Sequence, residues 1–169
     1  MATTQRNTEL FGTDVEFAFS RPWGAYWMVL LRLLVGYWFL HAGWTKIVES
    51  GGFDASGYLQ FAATGTLLES VVAPFTSGVG LEFVNLAVPF GEFAIALGLL
   101  VGLLVRTAAF FGGLLMAFFY TINASWSHGL VNGDLFGLLL FVTVAVFGAG
   151  RVLGLDAVVE RTRLVRNNT

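Results

Sequence analysis

The sequence predicts an all-α protein, an integral membrane antiparallel four-helix bundle with a short amphipathic surface helix between the first two spans. Three observations carry that prediction. Of the 169 residues 56% are hydrophobic and only 12% are charged, against about 25% charged in ordinary soluble domains, and the mean hydropathy is +0.75. The apolar residues gather in four long stretches, near residues 26–44, 79–104, 107–123 and 134–150, and a helix needs about 20 mostly apolar residues to cross a bilayer. The cations between the stretches fall almost wholly on one side of such a bundle, as described below.

Residues 1–22 read as a polar arm that becomes interfacial toward Arg21, Pro22 and Trp23. Its acids, Glu9, Asp14 and Glu16, do not suit a cleavable signal segment. The membrane domain is expected over 23–152, with spans at about 25–46, 79–104, 107–124 and 132–150. In the first span, Trp27 and Trp44 stand about 26 Å apart along a helix, close to the hydrocarbon thickness and suited to two aromatic belts. Gly51 and Gly52 end that helix. Asp54 and Ser56 then start an amphipathic helix that stops before Pro74 and lies at the surface, with a re-entrant segment as the alternative. The run from Leu86 to Ile122 is about 55 Å long if straight, too long for one crossing, and Arg106 marks a tight hairpin within it. Gly129, Asn132 and Gly133 break the chain before the last span. Residues 153–169 form a basic tail.

Four spans place both termini on one side, together with Arg6, Arg21, Arg106, Arg151, Arg161, Arg163 and Arg166. Only Lys46 falls in an opposite loop. The positive-inside rule then puts both termini in the cytoplasm, and the chain is expected in the plasma membrane as a multi-pass protein. No basic run exists that would track nucleic acid. The absence of cysteine removes disulfides, thiol redox chemistry and thiolate metal sites. Gly98 and Gly102, and Gly129, Gly133 and Gly137, recur at the four-residue spacing of close helix contacts. Packing within the bundle and a homo-oligomer face are both compatible with that spacing.

Charges inside apolar spans are costly and mark paired or functional groups. Arg32 and Glu92 lie in neighbouring antiparallel spans and are expected to meet. A buried ion pair that fixes helix register is one reading. A polar cavity that binds an anion or a quinone head group is the other. Pro89 removes a helix hydrogen bond three residues before Glu92. His41, Lys46, Trp126 and His128 are expected near the outer face, with Asn123 and Asp134 at a similar level. Such a cationic and aromatic mouth would suit an anionic substrate, and histidine can shuttle protons. Snorkelling of Lys46 to the interface and an ordinary polar loop at His128 are the structural alternatives. No metal site is expected.

Three motifs resemble the DoxX/DoxD family. The first holds Arg32, Gly36, the aromatic run at 37–39, Gly43 and Lys46. The second is Glu92 followed by Gly98, Gly102 and Arg106. The third runs from Gly148 through Gly150 and Arg151 to Leu155 and Asp156. The resemblance covers about residues 23–160, and the length and Trp-rich lead-in are nearer to DoxD. It implies a four-helix membrane subunit of thiosulfate:quinone oxidoreductase, which oxidises thiosulfate to tetrathionate and reduces a membrane quinone beside a DoxA-like second subunit. The sequence shows no haem, flavin or iron–sulfur motif. Three functions are therefore open: a redox-complex subunit with thiosulfate at His41, Lys46 and His128 and the quinone head at Arg32 and Glu92; a non-enzymatic membrane scaffold or assembly subunit; and a small anion or solute transporter.

Overall fold

A computed structural model describes residues 7–10, 13–16, 21–49, 51–62, 64–123 and 129–159. Apart from one small hairpin its described elements are helical. Three helices are long and apolar enough to cross a membrane: α1 (Arg21–Val48), α3 (Gly78–Val101) and α4 (Val105–Asn123). The fourth apolar helix, α5 (Gly133–Val146), has 14 residues. It is about 21 Å long, shorter than the expected span at 132–150. Gly148 in the left-handed region (φ 61°) interrupts it before a 3-10 turn at Ala149–Arg151. Large apolar side chains point outward all round, among them Leu34, Phe83, Phe110, Leu114, Leu139 and Phe147. A water-soluble protein would bury such residues, whereas a bilayer solvates them.

The helix ends follow local chemistry only in part. Gly51 and Gly52, at φ 104° and 85°, turn the chain after α1. Gly102, at φ 75°, closes α3, and the amides of Gly102 and Leu103 both donate to the carbonyl of Gly98, the signature of a glycine C-cap. At the start of α5 the Asn132 side chain accepts from the amide of Leu135. The start of α4 has no local cap. Its Leu104 and Val105 amides donate to the Asp156 carboxylate at 2.7 and 3.0 Å, so the cap comes from about 50 residues downstream.

Packing falls into two close pairs, α1 with α3 and α4 with α5. In the first pair Gly36 lies against Leu99 and Leu100, and Gly43 against the backbone of Pro89 and Phe93. In the second the Phe141 ring fills the space above Gly112. The pairs join where Phe39 meets Phe141 edge to face at 4.7 Å and where Trp38 and Met116 cover Gly137. Lipid tails are as apolar as the helix surfaces, so association rests on this fit between small and large residues. Gly98 packs on Ala108, and Gly102 on Arg32 and Gly154. Gly98, Gly102 and Gly137 thus serve contacts within the chain.

The segment after α1 is not one amphipathic helix. It comprises a π-helical turn at Tyr58–Ala62, the short α2 (Glu69–Val72) and a 3-10 turn at Ala73–Phe75. Gly65, at φ 78°, separates the first two pieces. Ala55, Leu59 and Val72 turn inward and pack with Leu81 and Val84 of α3 and Phe118 and Ile122 of α4. In the N-terminal arm, β1 (Asn7–Leu10) and β2 (Thr13–Glu16) pair antiparallel, an element the polar composition of the arm does not announce.

Candidate functional site

Arg32 and Glu92 are the two buried charged residues among those described, and they do not meet. The Gly36 and Gly43 contacts fix the stagger of α1 on α3. They place Arg32 opposite the end of α3 and Glu92 opposite Gly43. That is 11 residues along the helices, or about 16 Å. The expected Arg32–Glu92 pair is therefore replaced by two separate polar sites, one at each end of the α1–α3 contact.

Arg32 is spent on backbone. Its Nη1 donates to the carbonyls of Ala149 (2.8 Å) and Val152 (3.1 Å), and its Nη2 to that of Leu153 (3.2 Å). These carbonyls follow α5, where the chain runs out of helix partners and a guanidinium fork satisfies several at once. Gly154 lies against Arg32 and the carbonyl of Gly102. The Asp156 amide donates to that same Gly102 carbonyl at 2.9 Å. Asp156 also interacts favourably with Arg32 through its charge. Arg32, Gly102, Gly154 and Asp156 thus form a clasp that ties α1, the α3–α4 turn and the chain after α5 together. The Arg32 Nη atoms are given to protein carbonyls, while its Nε is buried with no hydrogen-bond partner among the described residues.

Glu92 has a different partner. Lys46, in the last turn of α1, places Nζ 2.6 Å from Glu92 Oε2. This is the one ion pair between described residues. The Glu92 side chain is 4% exposed and that of Lys46 25%, so the lysine is the reachable member. Phe53 lies over Lys46, with Nζ 5.7 Å from the ring centre, within cation–π range. Asn85, one turn before Pro89, accepts the Ala55 amide on its side chain at 2.8 Å. The segment from 51 to 62 is thereby pinned to α3 as a roof above the pair. Lys46 does not simply snorkel to the interface. It reaches inward, because the buried carboxylate would otherwise lack a counter-charge.

The remaining candidates separate. His41 is exposed and sits five residues before Lys46, about 140° around the helix. It lies on the outward face with Tyr37 and Trp44, away from the Lys46–Glu92 pair. Asp134 belongs to another polar chain: Tyr58 Oη donates to Asn123 Oδ1 at 3.2 Å, and Asn123 Nδ2 donates to Asp134 Oδ2 at 2.7 Å. Burial pushes the Tyr58 hydroxyl above its usual range, opposed in part by its bond to Asn123. Asp54 is held below the usual carboxylate range, first by the Ser56 amide and then by the Ser56 hydroxyl. Trp126 and His128 lie outside the described residues. Among the described residues no three acids or histidines converge as a metal site would require.

Sequence reasoning missed the pairing of Lys46 with Glu92 and the capping role of Asp156. All three residues stand in the motifs quoted above, so a signal existed, but it carried no pairing information. A groove of about 360 Å³ between α3 and α4 is lined by apolar side chains, including Leu97, Val101, Leu104 and Phe111. It opens on the side of α3 away from Glu92 and contributes no polar group to the pair.

No curated protein and no solved structure matches this sequence. The family model for DoxX matches residues 27–129, a range that contains Arg32, Lys46 and Glu92 and ends before α5. It spans more than half of the chain, and with three apolar helices able to cross a bilayer it identifies this protein as a membrane protein belonging to the DoxX family.

Proposed function

We propose that this chain is a DoxD-like membrane subunit of a redox complex and that it offers Lys46 as the docking charge for a small sulfur oxyanion such as thiosulfate. The observation that carries the proposal is the Lys46–Glu92 pair: a buried carboxylate holds a partly exposed ammonium beneath the Phe53 roof. Buried charges in a spanning helix mark substrate or proton paths. The bundle is read as four antiparallel helices in the plasma membrane, with α5 and the turn after it completing the fourth crossing and the 51–75 segment at the outer face. Arg21, Arg106 and Arg151 all fall at the Arg32 end, which by the positive-inside rule is cytoplasmic. A membrane quinone as electron acceptor and a DoxA-like partner complete the reading. Arg32 is left out of the anion site in this reading, since its Nη donors serve carbonyls.

A second reading, a scaffold subunit without chemistry of its own, is favoured by the clasp, which commits Arg32 and Asp156 to structure. One experiment separates the two. Thiosulfate-dependent quinone reduction is measured on the complex purified from membranes, for wild type and Lys46→Ala. Loss of turnover with the complex intact supports the anion site. Unchanged turnover in Lys46→Ala overturns it in favour of the scaffold.

A further inference from the structure

We infer that the Lys46–Glu92 pair is a proton-coupled anion site, in which binding of one small oxyanion at Lys46 is accompanied by uptake of one proton at Glu92. The inference rests on the anion reading above and adds the coupling. Lys46 is the one described cation within ion-pair distance of Glu92. An oxyanion that takes the ammonium therefore competes with the carboxylate for its counter-charge. A carboxylate buried to 4% exposure without that counter-charge is far less stable than the protonated acid. An incoming anion beside it adds repulsion of the same sign. A proton on Glu92 relieves both, and the acid can then donate a hydrogen bond to the bound anion.

Among the described residues, Lys46 is the one titratable group bonded to Glu92. From the roof, Asp54 is exposed and bonded to Ser56. Glu49, just past α1, is exposed, as is Glu82 on α3. From α4 and α5, Asn123 and Asp134 are bonded to each other. His41 lies on the far face of α1. Access is built in as well. Lys46 is a quarter exposed, and the roof over it follows Gly51 and Gly52, whose positive φ angles let that link turn sharply. The balance is simple: the anion exchanges for the carboxylate on Lys46, and one proton from water joins a Glu92 oxygen. No bond in the anion is made or broken.

The test uses the full chain in lipid nanodiscs and titrates thiosulfate, with sulfate as a non-oxidised comparison, by calorimetry in two buffers of different ionisation enthalpy. The buffer dependence counts protons. One proton taken up per anion is expected, with apparent affinity falling about tenfold per pH unit while coupling lasts. Glu92→Gln, which keeps the shape and can still accept from Lys46, is expected to bind the anion with no proton uptake and a flat pH profile. Lys46→Gln is expected to lose binding. Anion binding to wild type without proton uptake, or uptake that survives in Glu92→Gln, overturns the coupling and leaves the anion site standing. Absence of binding in both wild type and Glu92→Gln overturns the anion site itself, and the coupling with it.

Discussion

Lys46 and Glu92 meet at 2.6 Å across the α1–α3 contact, although one stands in the last turn of its helix and the other well inside its own. α1 therefore ends partway along α3. The first turns of α3 run past it and carry the roof through the Asn85 bond to Ala55, and Gly80 packs on the Pro74 carbonyl further along. This stagger buries Glu92 and leaves Lys46 partly exposed.

Breaking the pair on one side is expected to cost more than removing it. Lys46→Met leaves Glu92 without its cation and is expected to lose about 2–3 kcal/mol, below the range for fully buried pairs because Lys46 is partly exposed. The double variant Lys46→Met with Glu92→Leu is expected near wild type or above it. Denaturation in detergent checks this. Equal losses in the single and double variants would show that the pair does not hold the carboxylate in place.

Gly43 sets the distance between α1 and α3. A methyl group there would stand 2.7 Å from the Phe93 nitrogen and 2.9 Å from the Pro89 oxygen, both backbone atoms that cannot swing aside. Gly43→Ala is expected to cost about 1–3 kcal/mol and to loosen the pair one turn further on. Gly24→Ala, with nothing within 4 Å, is the control, and by helix propensity alone it gains up to about 1 kcal/mol. Thermal melting of the two side by side is decisive, and an unchanged midpoint for Gly43→Ala would refute the close approach.

Arg32→Ala orphans the carbonyls of Ala149, Val152 and Leu153, and a loss on the order of 3 kcal/mol is expected. Arg32→Lys retains charge but lacks the planar fork, so it should recover only part of that loss. Limited proteolysis after residue 148 reports whether the clasp has opened. Equal protection in all three proteins would mean that other contacts hold the chain after α5.

Acid is expected to loosen the start of the roof. The folded Asp54 carboxyl titrates below its ordinary range because Ser56 stabilises the charged form. A group with a depressed folded value contributes stability that is present above the unfolded value and lost as pH falls through the folded one. Amide exchange at Ser56, corrected for intrinsic rates, should therefore show protection declining on acidification. Ser56→Ala should weaken that dependence, and a pH-independent protection in wild type would contradict it.

The sequence by itself determined the solvent and the long helices. Long apolar runs leave a backbone no partner but its own helix, and Gly51 and Gly52 mark the end of the first helix because a left-handed residue there costs glycine little. The same reasoning found both buried charges among the described residues, since a charge in an apolar run is conspicuous. It overran α5, where Gly148 stops the helix, and it drew the 51–75 segment as one helix, where Gly65 divides it. The tertiary structure alone decided the partners. Arg32 and Glu92 looked matched because they carry opposite charges on adjacent helices, yet the stagger that separates them is set by Gly36 on Leu99 and Gly43 on Pro89. Those contacts join residues far apart in sequence, and shifting two helices by three turns changes neither composition nor periodicity. Asp156 capping α4 belongs to the same class: a carboxylate near a chain end reveals its charge in the sequence, while the amides that receive it are chosen only when the helices dock.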